Sequence, residues 1–135
     1  MQKLSCIALL ACCASASAAT VQVTIAGVTS DKGVVQVAVC DEANYRKDCR
    51  LTATVPAHTG AVTVDVPNVP SGTWAVLAYH DENGNKKLDT NFVGMPTEGY
   101  GFSNGAKARF GPPSFKDAAI AVGEGNVPAT VTLKY

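Results

Sequence analysis

The residues best suited to chemistry in this chain are the acids and amides of Asp81-Glu82-Asn83-Gly84-Asn85-Lys86-Lys87-Leu88-Asp89. With Asp81 as position 1, side-chain oxygens fall at positions 1, 3, 5 and 9 (Asp81, Asn83, Asn85, Asp89), and Lys87 at position 7 would offer its backbone carbonyl. A hard cation takes six to eight oxygens, and a chain coiling round it turns every second residue inward, so the alternation predicts a calcium site. Two positions depart from the EF-hand pattern. Lys86 stands where glycine makes the sharp turn, and Phe92 stands where a bidentate glutamate belongs. A complete EF-hand is therefore excluded. The missing carboxylate is assigned to Glu98, because alternation turns Glu82 away, and calcium would be held weakly, at a Kd of about 10⁻⁴ to 10⁻³ M. The competing reading needs no ion: aspartates and asparagines close successive Asx turns on their own backbone.

A second stretch, Thr97-Glu98-Gly99-Tyr100-Gly101-Phe102-Ser103-Asn104, sets aromatics between glycines and hydroxyl or amide groups. Tyr100, Phe102, Ser103 and Asn104 would present stacking faces and hydrogen bonds to a carbohydrate or a peptide; otherwise the aromatics pin the loop onto the domain. The alternative function is a periplasmic hydrolase using His80 with Asp81 or Glu98, and with Ser103 if the loop folds back. No spacing among these residues demands that convergence. Zinc and copper are not expected, with His58 and His80 the only histidines.

Apolar and polar residues alternate with the period of half-buried strands near 21–25, 33–40, 50–55 and 60–66. The run Thr73–His80 is apolar on both faces and reads as a central strand, preceded by the turn Pro70-Ser71-Gly72. Two further strands are expected near 118–122 and 127–134. Seven short strands and scarce helical periodicity predict an all-β fold, a seven-stranded antiparallel β-sandwich with one long Gly-rich loop. That loop lies between Asp81 and Asp117, where six glycines interrupt the pattern. Compact domains seldom keep so long an unpatterned connection without a use for it.

The N-terminus carries Lys3, an apolar run from Leu4 to Ala14, and small residues through Ala19, which predicts a cleavable signal peptide over 1–18 and a single domain over 19–135. The run is too short for a transmembrane segment. Leu9-Leu10-Ala11-Cys12 offers the alternative of a lipoprotein anchored through Cys12. Of five cysteines, Cys6, Cys12 and Cys13 leave with the signal peptide, so Cys40 and Cys49 are expected to form a disulfide, stabilising by roughly 2–3 kcal/mol. The location implied is periplasmic or secreted. The chain has 11 basic and 11 acidic residues. Without a basic stripe, neither nucleic acid nor anionic lipid is expected as a charge-driven partner.

The motifs D-E-N-G-N-K-K-L-D-T-N, G-M-P-T-E-G-Y-G-F-S-N, P-S-F-K-D-A-A-I and P-S-G-T-W together resemble the exported bacterial family called domain of unknown function 2141. The resemblance covers nearly all of the mature chain. It implies an exported single domain similar to transthyretin-like (prealbumin-like) modules, and no particular activity. Transthyretin-like hydrolases end in Y-R-G-S, whereas this chain ends Thr132-Leu133-Lys134-Tyr135, so their chemistry is not implied. The function expected is an exported non-enzymatic binding or structural module, with calcium at 81–89 beside a ligand-presenting loop at 97–104.

Overall fold

The computed structural model describes residues 18–135, so the expected signal peptide, Ala18 apart, and the alternative anchor Cys12 lie outside the described residues. The chain is all-β, with eight strands and one helical turn: β1 (Ala19–Val28), β2 (Val34–Cys40), β3 (Leu51–Pro56), β4 (Gly60–Val69), β5 (Gly72–Asp81), β6 (Tyr100–Phe102), α1 (Phe115–Ala118), β7 (Ala119–Val122) and β8 (Asn126–Thr132). They form two open sheets. One has the order β4-β1-β8; in the other, β3-β2-β5 continues into β6, and β7 also pairs with β5.

The alternation read in the sequence is what buries the core. Val21, Val23 and Ile25 of β1, Val35, Val37 and Val39 of β2, Val62 and Val66 of β4 and Val131 of β8 join one apolar cluster, while Gln22, Thr63 and Asp65 face outward. Removing that surface from water is the main stabilising contribution. Cys40 ends β2 and is bonded to Cys49, with Cα atoms 5.0 Å apart. The bridge ties the start of the β2–β3 connection to the residue two places before β3.

Two expectations are corrected. The strands number eight rather than seven, because β6 lies inside the long loop, and the pairing is not wholly antiparallel, because β8 runs parallel to β1 from Thr20↔Asn126 to Ala26↔Thr132. Alternation reports which face is buried and carries no information about strand direction. β6 was hidden by its own glycine. A Cβ at Gly101 would collide with the Thr132 carbonyl, so the residue that breaks the apolar pattern is the one that lets β8 pass close by.

The outer edge of β5 is shared. β7 pairs with Gly72–Ala75 and β6 with Leu77–Tyr79, which leaves Val76 between them. Ser103 fills the break: its N–H donates to the Val76 carbonyl at 2.9 Å, its Oγ accepts the Val76 N–H at 2.9 Å, and the hydroxyl donates to the Ala118 carbonyl at 2.5 Å. No helix among the described residues is long and apolar enough to cross a membrane, which does not bear on membrane β-barrels.

Candidate functional site

Asp81 is the last residue of β5 and is fully buried. Its Oδ1 accepts the Asn85 N–H at 3.2 Å and its Oδ2 the Lys86 N–H at 2.8 Å, so the chain leaving the strand curls back over the carboxylate. Asn83 Oδ1 accepts the Asn85 N–H at 3.2 Å and Asn85 Oδ1 the Lys87 N–H at 3.0 Å, two consecutive Asx turns. Lys86 adopts φ 62°, so the left-handed turn that an EF-hand gives to glycine is made here by a lysine.

The far end of the loop folds onto the same point. Asp89 accepts the Asn83 side-chain amide on Oδ2 and the Asn85 side-chain amide on Oδ1, both at 2.6 Å. These donors, the Asn85 amide foremost, hold the Asp89 carboxyl below its ordinary range. Glu98 is buried, and its two oxygens take the N–H groups of Glu82 and Asp89, each at 2.9 Å. Burial pushes its carboxyl up despite those bonds. Tyr79 on β5 is raised as well, first by burial and then by the Asp81, Glu98 and Asp89 charges. Asp81, Asn83, Asn85, Asp89 and Glu98 thus lie in one hydrogen-bonded cluster. Lys87 is exposed beside it.

The donor set is all oxygen, the chemistry of a hard cation rather than zinc. Among the described residues, however, no three His, Cys, Asp or Glu side chains gather as a ready-made metal centre. The carboxylate oxygens face N–H groups, and two side-chain amides stand where a cation would neutralise Asp89.

Behind the loop, Gly33 packs against β5. It has φ 67°, and a Cβ there would run into the Asp81 carbonyl and the Glu82 backbone. Sequence reasoning passed over this residue, which stands 48 positions before Asp81 and carries no motif.

His80 is fully buried. Its Nε2 lies 2.6 Å from the Lys32 carbonyl, which can only accept, so Nε2 carries the hydrogen and Nδ1 accepts from the Tyr135 hydroxyl at 2.8 Å. That hydroxyl also accepts the Thr29 N–H at 3.2 Å. Glu82 turns this way, with Oε1 3.7 Å from His80 Nδ1. Both ring nitrogens of His80 are therefore engaged inside the fold.

The Gly/aromatic stretch divides. Ser103 is buried and fully used by the β5 edge, and the Asn104 amide donates to the Asp117 carbonyl at 3.0 Å. Ser103 thus has no free polar group, whereas Asn104 is exposed and its side-chain oxygen takes no hydrogen bond among the described residues. Tyr100 and Phe102 stack edge to face, 6.2 Å between centroids, and line a groove of about 440 Å³ with Thr130, Thr132 and Lys134. None of the acidic-loop residues lines it.

The sequence model of the family described as "Uncharacterized protein conserved in bacteria (DUF2141)" matches residues 23–130. The chain belongs to that family. No curated protein and no solved structure matches it.

Proposed function

We propose that this family member is an exported, non-enzymatic binding or structural module whose 81–89 loop takes up calcium. The ligands are the side chains of Asp81, Asn83, Asn85, Asp89 and Glu98 and the Lys87 carbonyl. The supporting observation is convergence: residues that alternate along the loop, together with a carboxylate nine residues further on, are tied into one hydrogen-bonded network that curls the chain back on itself. Each asparagine amide carries an acceptor as well as a donor, so a half-turn of Asn83 and Asn85 would replace the N–H groups at Asp89 with oxygens facing a cation, giving up the two Asx-turn bonds those oxygens now accept. After burial, the Asp81, Glu98 and Asp89 charges also raise the Tyr79 hydroxyl, and a cation in the loop would offset those charges.

The same reading takes the two sheets as a transthyretin-like sandwich, exported through residues 1–18, with the Cys40–Cys49 bridge supporting an oxidising compartment. Tyr100 and Phe102 would present the groove beside Lys134 to a carbohydrate or peptide. A second reading, a purely structural loop, is favoured by one observation: the cluster is closed by its own hydrogen bonds, and among the described residues no buried side-chain polar atom lacks a partner.

Isothermal titration of calcium into the wild type and into Asp89→Asn tests the first reading. Saturable binding that is lost in the variant is expected. Equal heats from both proteins would leave the Asx-turn reading standing.

A further inference from the structure

Phe92, Val93 and Met95 expose 100%, 65% and 59% of their surfaces within four residues of one another. The backbone beneath them is hydrogen-bonded. Asn91 Oδ1 accepts the N–H groups of Val93 and Met95, each at 3.0 Å; the Asn91 N–H donates to the Met95 carbonyl at 2.8 Å, and the Gly94 N–H to the Asn91 carbonyl at 3.0 Å. At the base, Thr90 bridges to Pro96, and Thr97 donates its N–H and its hydroxyl to the Asp89 carbonyl. One asparagine therefore builds a hydrogen-bonded turn that holds three large apolar side chains in water. Scattered exposed apolar residues need no explanation, but a contiguous set on a fixed turn does.

The surrounding charges narrow what covers it. No charged residue lies between Thr90 and Thr97; before the tip, Lys86 and Lys87 are exposed cations, the half-buried Asp89 carboxylate is taken up by the Asn83 and Asn85 amides, and the exposed Glu82 turns towards His80. Neither lysine is in an ion pair among the described residues. We propose that the 91–95 turn is a membrane-docking tip, which sinks Phe92, Val93 and Met95 into the headgroup and upper acyl region of a lipid bilayer while Lys86 and Lys87 meet anionic headgroups. Interfacial binding of this kind combines buried apolar area with attraction to anionic lipid. Size argues against a flat protein partner: a standard interface engages roughly 20–30 residues a side, whereas a soft apolar phase accepts a narrow protrusion. The near-zero net charge, which excludes capture by charge alone, does not oppose insertion, because insertion is driven by removing apolar surface from water. The proposal goes beyond the calcium reading and does not depend on it.

Co-sedimentation with vesicles of phosphatidylethanolamine and phosphatidylglycerol, in EDTA and in millimolar calcium, tests it. The wild type and Phe110→Ser, a change at the other fully exposed phenylalanine, should sediment with the vesicles. Phe92→Ser/Met95→Ser should bind at least about tenfold more weakly, the loss expected when two apolar anchors are removed. An unchanged melting temperature will show that the double variant is folded, and Phe92→Trp should shift its emission to the blue on vesicle addition. Absence of wild-type binding in both buffers, or equal binding by the double variant, would overturn the proposal. So would lipid-free self-association that the double variant abolishes, which would assign the tip to a second copy of the chain.

Discussion

Glu98 holds Asp89 by its backbone: Glu98 Oε1 accepts the Asp89 N–H at 2.9 Å, while Oε2 accepts the N–H of Glu82 at the same distance. One buried carboxylate therefore spans both ends of the acidic loop. Burying a charge without donors would be costly, and the two N–H groups offset that cost. The arrangement explains how a nine-residue loop without regular hydrogen bonding keeps a fixed shape, and it gives the loop a lever on the segment that follows, through Thr97 and the Asp89 carbonyl.

Ser103→Ala should destabilise by about 1–3 kcal/mol, because it leaves the buried Val76 N–H without its acceptor at the break between β6 and β7. Thermal unfolding should show a melting temperature lower by several degrees. An unchanged value would mean that the β5 edge does not need the stitch.

Gly33→Ala and Gly84→Ala separate backbone strain from close approach. Both glycines have positive φ, 67° and 70°, but a Cβ at Gly84 meets nothing within 4 Å, whereas one at Gly33 meets the Asp81 carbonyl. Gly84→Ala should cost about 1–2 kcal/mol for the left-handed conformation alone. Gly33→Ala should cost clearly more in urea unfolding. Equal costs would contradict the packing of Gly33 behind the loop.

Asp31 clamps the β3–β4 turn, its Oδ1 accepting the Thr59 N–H at 2.7 Å and the Thr59 hydroxyl at 2.9 Å. These bonds, the backbone one first, lower its carboxyl below the ordinary value of 3.8. Because the folded value is depressed, the unfolded chain takes up the proton first. The stabilisation is present above 3.8 and is lost as pH falls through the folded value. Acid unfolding of the wild type should therefore show a pH dependence below 3.8 that is reduced in Asp31→Asn. Superimposable profiles would contradict the clamp.

Much of the scaffold was legible in the sequence because the strands are half-buried and alternate cleanly: all seven expected runs are strands, and Cys40 and Cys49 are joined. What escaped was non-local. The parallel β1–β8 pairing and the β6 strand depend on how distant segments cross, and Gly101 records that crossing as an apparent loop signal. The engagement of His80 by Tyr135, 55 residues away, has no sequence signature at all. In the acidic loop the oxygen spacing was readable, and so was Glu98 as the next carboxylate after Asp89. That Lys86 would supply the left-handed turn was not, since lysine has no intrinsic preference for it.

The most direct test of the calcium loop is thermal unfolding in EDTA, then in millimolar calcium, with magnesium as the control. A ligand that binds the native state alone stabilises by RT ln(1 + [L]/Kd), so calcium at about ten times Kd should add roughly 1.4 kcal/mol and raise the melting temperature by several degrees. Magnesium should do much less, and Asp89→Asn should show no calcium response. A melting temperature identical in EDTA and calcium, in a protein isolated without calcium, would contradict the account and leave residues 81–89 as a loop held by its own Asx turns.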